Sequence, residues 1–202
     1  MDINTMNKIS YGLYVLTAQE DGKDNGCIVN TVQQVTVDPC AVSVAVNKLN
    51  YTHDMILRTG RFNVSMLSTA CDFDVFKHFG FQSGKDVDKF ADYPDAAASE
   101  NGLKYITKGT NAYFSADVIQ TVDLGTHTMF IAKVTEAEIL SEEDSLTYEY
   151  YHKHVKPQPK AEPVEKKGYR CKVCGYVYEG EELPADFICP WCKHGVEDFE
   201  EI

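Results

Sequence analysis

Four cysteines near the C-terminus have the spacing of a metal site. Cys171 and Cys174 form one Cys-x-x-Cys pair, and Cys189 and Cys192 form a second pair, with fourteen residues between the two pairs. Two such knuckles let four thiolates converge on one ion, and backbone N–H groups in each tight turn can donate to the sulfurs. A segment of this size has too little core to fold alone, so a bound metal would supply much of its folding free energy.

The metal itself is not decided by spacing, because tetrahedral thiolates hold either zinc or iron. Zinc ribbons that bind nucleic acid are often basic, whereas residues 168–202 carry three Lys/Arg against eight Asp/Glu. Six aromatic residues lie near the cysteines in the chain and would form a low-dielectric shell that suits a redox centre, although they could equally be a small ordinary core. They are Tyr169, Tyr176, Tyr178, Phe187, Trp191 and Phe199.

The cysteine segment resembles a rubredoxin. The likeness is carried by Tyr-Arg-Cys-Lys-Val-Cys-Gly-Tyr-Val-Tyr at 169–178, by Pro-Ala-Asp-Phe-Ile-Cys-Pro-Trp-Cys at 184–192, and by Phe199. The stretch between the knuckles is shorter than in free-standing rubredoxins and is closer to the rubredoxin-like tail of rubrerythrins. The resemblance implies one iron held by Cys171, Cys174, Cys189 and Cys192, in a module that transfers electrons.

A second candidate site lies around the segment Asn-Lys-Leu-Asn-Tyr-Thr at 47–52. A strand is predicted to end at Asn47, and a helix to begin with Thr52 as its N-cap. A helix start offers unpaired N–H groups and a positive dipole end, both of which suit a phosphate, and Lys48 adds a full charge. The alternative is a capped surface helix with a solvated lysine. No Gly-x-Gly-x-x-Gly is present, which argues against a Rossmann site.

Residues 1–150 resemble the flavin reductase-like family. The matching motifs are residues 11–17, residues 25–33, Pro39, residues 47–52, and Gly-Thr-His at 125–127, where the family has Gly-Asp-His. The family implies an FMN-binding split β-barrel that works as a homodimer. It assigns the isoalloxazine and ribityl contacts to Asn30, Thr31 and Gln33, and the phosphate contacts to Asn47, Lys48, Tyr51 and Thr52. It places His127 near the flavin or the nicotinamide, and Thr126 stands where the family has its acidic residue.

Each of these residues also has a structural interpretation. Thr31 and Gln33 could be exposed strand positions, and His127 could be a hydrogen-bonded structural histidine. Residues 79–85 could form a mobile loop that closes over the site or a plain connection between helices. Cys27, Cys40 and Cys71 have no Cys-x-x-Cys partner, and we expect them to be small buried apolar residues.

The fold predicted to position these residues is mainly β. A split barrel is expected over residues 1–152, a Pro/Lys-rich linker over 153–167, and a rubredoxin-like domain over 168–202. The linker holds three of the seven prolines and, if extended, reaches about 45 Å. Strands are predicted at 9–18, 28–37, 41–47, 62–67, 112–122 and 126–139, with a hairpin turn at Asn25-Gly26. Helices are predicted at 51–58, 72–79 and 148–152.

The formal net charge of −12 excludes some partners. An acidic surface repels phosphate backbones and anionic lipid headgroups, so neither nucleic acid nor membrane is an expected partner. No secretory signal and no apolar stretch of bilayer length is visible, and the expected location is cytoplasmic. In that compartment, seven cysteines indicate metal binding or catalysis before disulfides.

A flavin domain joined to a rubredoxin-like domain resembles the high-molecular-weight rubredoxins of anaerobic bacteria. NAD(P)H gives up two electrons as a hydride, whereas one thiolate-bound iron accepts one electron, and FMN can accept the pair and release electrons singly. The resemblance implies an oxidoreductase that passes electrons onward, for example to a flavodiiron oxygen or nitric oxide reductase.

Three alternatives stay open at this point. The chain could be a relay that a separate reductase feeds with electrons. It could be a zinc-stabilised binding module beside a barrel that lacks flavin. It could also be a relative of pyridoxine-phosphate oxidases.

Overall fold

The N-terminal part of the chain is an antiparallel barrel-like sheet. The structure is a computed structural model that describes residues 2–157 and 168–202. The strands of the N-terminal part are β1 (Tyr14–Glu20), β2 (Lys23–Val29), β3 (Gln33–Thr36), β4 (Ala41–Asn47), β5 (Arg61–Leu67), β6 (Ala96–Ala98), β7 (Lys104–Ile106), β8 (Thr110–Asp123) and β9 (His127–Ile139). Seven of them form one sheet in the order β2-β1-β5-β8-β9-β4-β3, and β6 pairs with β7 separately. The predicted mainly β split barrel is confirmed.

Helix α1 (Tyr51–Thr59) closes the inside of this curved sheet. Its buried Met55 and Ile56 pack in the same core as Leu16 of β1, Phe62 of β5 and Phe130 of β9. Hydrogen bonds connect the helix to two separated strands. The Thr52 hydroxyl accepts from the Asn25 side-chain amide of β2, and His53 Nε2 is hydrogen-bonded to the Thr128 hydroxyl of β9. The helix start is therefore fixed at one place relative to the whole sheet.

The predicted helix at 51–58 is confirmed, but its predicted N-cap is wrong. Asn50 is the N-cap, and its side-chain oxygen accepts from the backbone N–H of Thr52. Thr52 is fully buried inside the first turn, where its hydroxyl accepts from Asn25, so it has no access to the helix end. Gly60 ends the helix in the left-handed conformation (φ 72°), as a C-terminal glycine does.

The hairpin turn predicted at Asn25-Gly26 is also wrong. The β1–β2 turn lies at Asp21-Gly22, where both residues have positive φ (51° and 79°), as a type I′ turn requires. Asn25 and Gly26 lie inside β2, and Gly26 pairs with Thr17. A Cβ at Gly26 would approach the ring of Phe79 to 3.1 Å, so this glycine serves close packing of a helix against the strand.

Two further helices pack outside the sheet. Helix α2 (Phe73–Gly80) buries Val75, Phe76 and Phe79, and α3 (Tyr148–Tyr150) continues as a π-helical turn through Tyr151–Val155. Phe76 and Tyr151 are in ring contact at 4.3 Å, within a second core that also contains Leu13, Ile106 and Leu146. Both helices agree with the prediction, whereas the single strand predicted at 28–37 is divided into β2 and β3.

The C-terminal part is a small sheet with two metal knuckles. Strands β10 (Tyr169–Cys171), β11 (Val177–Tyr178) and β12 (Phe199–Glu201) pair in the order β11-β10-β12. Phe187 contacts Tyr178 and Phe199 beneath the cysteines. Of the predicted linker, residues 153–155 belong to the π-helical turn, and residues 158–167 lie outside the described residues. Across the two described ranges, no helix has both the length and the apolar character needed to span a membrane.

Candidate functional site: a cysteine cluster facing a cavity

The four sulfurs predicted as ligands lie together. The Sγ atoms of Cys171, Cys174, Cys189 and Cys192 are all within 4.8 Å of one another. Two hairpin-like knuckles make this possible, because the N–H of Gly175 bonds the Cys171 carbonyl and the N–H of Lys193 bonds the Cys189 carbonyl. Gly175 and Lys193 both have positive φ, which turns the chain sharply after each Cys-x-x-Cys.

The donor set suits a cation. The interaction with the Cys192 sulfur lowers the pKa of Cys174, and the same interaction, together with burial, raises the pKa of Cys192. Backbone N–H groups of Tyr176 and His194 also donate to these two sulfurs. Four adjacent sulfurs cannot all ionise without a positive charge among them, so the residues present fit a thiolate-bound metal ion.

A cavity of about 640 Å³ lies next to this cluster. One side is formed by the N-terminal domain, including the start of α1, and the other side is formed by the two knuckles. Its volume is within the range of cofactor sites, and its walls combine apolar side chains with a few amides, as such sites do. From the N-terminal domain the polar lining includes Asn30, Asn47, Asn50 and Tyr51, and from the knuckles it includes Cys174, Cys192, Lys193 and His194.

Three of the residues assigned to flavin by resemblance line this cavity: Asn30, Asn47 and Tyr51. Asn47 and Tyr51 lie on either side of the turn from β4 to α1, so the predicted helix-start site opens into the cavity. These walls fit a flavin with its phosphate toward the helix start. The assignment of individual contacts stays a prediction.

Four other assigned residues lie outside the cavity wall and have partners within the chain. The Thr31 hydroxyl donates to the Ala45 carbonyl at 2.7 Å, and Gln33 lies exposed on β3. The Lys48 ammonium is 2.7 Å from an oxygen of Asp123, so its charge is already paired. Thr52 is buried against Asn25. A role in flavin binding would require Lys48 to exchange its partner.

His127 lies at the start of β9, opposite Asn47 on β4. Its Nδ1 is 2.9 Å from the Thr126 hydroxyl, which occupies the place of the family's carboxylate. Partial burial lowers the pKa of His127, and nearby His194 and His53 lower it further. The ring is therefore held toward the neutral form at pH 7, and its neighbour His194 belongs to the second knuckle.

Sequence reasoning missed Lys89, which lines the cavity and is only 3% exposed. Its ammonium donates to the carbonyls of Gly26 and Phe79 at 2.8 and 2.9 Å. Burial lowers the pKa of Lys89 to about 8. No local pattern marks this lysine, because its carbonyl partners come from β2 and α2.

The isolated cysteines differ from one another. Cys27 and Cys71 are buried as predicted, and burial raises the pKa of both thiols. The expectation for Cys40 is wrong, since this residue is exposed in the turn between β3 and β4, outside the sheet.

Comparison with known proteins gives two family matches. A family model for the flavin reductase like domain matches residues 6–158, and one for the rubrerythrin, rubredoxin-like domain matches residues 169–200. The two matches cover the split barrel and the cysteine module in turn.

Curated relatives and solved structures agree with this division. The "High molecular weight rubredoxin" of Moorella thermoacetica is 36% identical over the whole of both chains. The "Ferric-chelate reductase (NAD(P)H)" of Archaeoglobus fulgidus is 36% identical over 75% of this chain and 89% of its own. Among solved structures, the styrene monooxygenase flavin reductase of Pseudomonas putida S12 has a TM-score of 0.61 at 26% identity, covering 77% of this chain and 97% of its own.

Proposed function

This chain belongs to the flavin reductase-like family and carries a rubredoxin-like domain, and we propose that it is an NAD(P)H-dependent oxidoreductase that delivers electrons through FMN to one iron ion. Electron transfer is the chemistry that the two domains share, through a flavin in the first domain and an iron ion in the second. Bound FMN accepts an electron pair from a hydride donor and releases electrons one at a time. The proposal for the donor is supported by the NAD(P)H in the name of the archaeal relative.

The observation that carries the proposal is the shared cavity. Asn30, Asn47 and Tyr51 line it from the flavin reductase-like domain, and Cys174 and Cys192 line it from the iron module. A flavin held by the first set would lie in the same cavity as the sulfurs of the second set. The chain would position both centres, and no proton-transfer triad is required.

The residues of this chain have distinct parts in the proposal. Asn47 and Tyr51 would hold the phosphate end of FMN at the start of α1, with Lys48 joining them when it leaves Asp123. Asn30, with Thr31 and Gln33 nearby, would contact the ring and ribityl chain. His127, held toward the neutral form, would act near the nicotinamide as a hydrogen-bonding group.

We further propose that the electrons leave to a separate redox protein. Residues 168–202 have a net charge of −5, which suits a partner with a basic docking surface. The resemblance to high-molecular-weight rubredoxins suggests a flavodiiron protein as that acceptor and a homodimer as the working form.

Anaerobic mixing of the purified protein with NADH or NADPH tests the proposal. Flavin absorbance should bleach first and the ferric thiolate absorbance should follow within the same chain. If neither chromophore is bleached by either nucleotide, the chain is not the nicotinamide oxidase, and a relay fed by a separate reductase becomes the better account.

A further inference from the structure

An aromatic contact joins the two domains. The ring of Trp191, in the second knuckle, stacks on the ring of Phe81, in the loop after α2, with centroids 4.9 Å apart and planes inclined by 6°. Phe81 also contacts Phe73 of α2 at 5.8 Å, and Trp191 contacts Tyr176 of the first knuckle at 5.3 Å. The stack therefore continues from the aromatic packing of one domain into that of the other.

The position of Trp191 links this contact to the metal site. Trp191 precedes Cys192 and follows Cys189 by two residues, so fixing its ring fixes the orientation of the second knuckle. A second contact supports the same arrangement, because the ammonium of Lys156 lies beside Gly175 of the first knuckle. Both knuckles are thereby turned toward the cavity that Tyr51 lines from the opposite side.

We propose that the stack of Phe81 on Trp191 is the docking contact that holds the iron module against the flavin cavity for internal electron transfer. The inference rests on the proposed function, and it assigns positioning roles to two residues that the family resemblance leaves without one. With both groups bound, NAD(P)H would supply two electrons as hydride, and each transfer across the contact would take one ferric ion to ferrous. Two such transfers, each followed by loss of the electron to the acceptor, would discharge one hydride and release one proton to water.

The contact has a strength that suits reversible docking. A stacked aromatic pair changes an equilibrium by roughly 2- to 10-fold. The linker already keeps the iron module at high effective concentration near the cavity, so this modest contact is enough to favour the docked position. It is also weak enough to let the module separate and present its acidic surface to a downstream acceptor.

Trp191 provides a direct readout because it is the only tryptophan in the chain. Acrylamide quenching of its fluorescence is measured on the full chain loaded with zinc, which occupies four thiolates without a visible chromophore. Three variants are compared: Phe81→Ala removes the ring, Phe81→Tyr retains it, and Tyr150→Ala removes a half-exposed aromatic ring that contacts His154 instead. Trp191 is 39% exposed when docked, so complete release raises the quenching constant at most about 2.5-fold.

The expected result is that only Phe81→Ala raises the quenching constant, whereas Phe81→Tyr and Tyr150→Ala match the parent. In the iron- and flavin-loaded protein, Phe81→Ala should slow the bleaching of iron relative to that of flavin by roughly 2- to 10-fold, and Phe81→Tyr should restore the ratio. Following both absorbances in one trace separates this step from hydride transfer.

Two results would overturn the inference. Quenching that is unchanged in Phe81→Ala would mean that the stack does not form in solution. Increased quenching with an unchanged ratio of bleaching rates would mean that the stack does not serve electron transfer. Failure of NADH and NADPH to bleach either chromophore would refute the proposed function instead. In that case photoreduction of the bound flavin, with EDTA as electron donor, starts the same internal transfer and still tests the contact.

Discussion

Replacing Thr52 by valine separates two roles that the same hydroxyl could have. Thr52 is fully buried, and its Oγ1 accepts from the Asn25 side-chain amide at 2.9 Å. Valine keeps the shape but leaves the buried Asn25 amide without this acceptor, which costs about 1–3 kcal/mol. The Asn25 carbonyl oxygen is already buried without a partner among the described residues, so loss of this bond would leave a second polar group of the same side chain unpaired.

The assay is urea unfolding of the flavin-free chain, followed by far-ultraviolet circular dichroism. With an m-value of about 2 kcal/mol/M, Thr52→Val should lower the midpoint by roughly 0.5–1.5 M. Thr52→Ser is the matched control, because it keeps the hydroxyl and loses one methyl group, at a cost of about 0.8 kcal/mol. The reasoning is refuted if Thr52→Val is as stable as Thr52→Ser and instead binds FMN at least tenfold more weakly, since the hydroxyl would then serve the phosphate.

Three other predictions follow from the site. Cys174→Ser should abolish the red iron absorbance and leave the yellow flavin absorbance, and loss of both would show that the two domains do not fold independently. Asp123→Asn removes the charge partner of Lys48 and keeps an acceptor for the Gly125 N–H, so FMN should bind up to about 5-fold more tightly. Lys48→Met should weaken FMN binding. Equal FMN dissociation constants in both variants and the parent would remove Lys48 from the phosphate site. Burial lowers the pKa of Lys89 to about 8 in the folded chain, against about 10.5 in the unfolded chain. The free energy of unfolding should therefore rise between these two pH values, by about 3 kcal/mol in total, relative to that of Lys89→Met. Equal pH slopes in urea unfolding of the two proteins would contradict a buried ammonium.

Local patterns predicted the parts of the molecule that depend on local geometry. The four cysteines converge because each pair is set by a tight turn of its own, so spacing alone predicted the cluster. Helix α1 was predicted closely because Gly60 marks its end and its apolar positions follow a helical period. Strand β4 was predicted with its observed bounds because alternating small and branched residues precede a clear turn.

The errors arose where tertiary packing decided between local signals. Asp21-Gly22 and Asn25-Gly26 are both hairpin sequences, and only the second glycine is needed for contact with Phe79 of a distant helix. Thr52 is a good N-cap residue by type, but in the fold it is buried and its hydroxyl is hydrogen-bonded to Asn25. The cavity was not foreseen as a whole because Phe81, Lys89 and Tyr148 reach it from segments far apart in the chain.

The central claim is that one polypeptide holds both a flavin and a thiolate-bound iron. An absorption spectrum of the protein as isolated, with metal and flavin analysis of the same sample, tests this claim most directly. The account predicts flavin bands and ferric thiolate bands together, with one flavin and one iron per chain. A colourless protein that contains zinc and no flavin would contradict it.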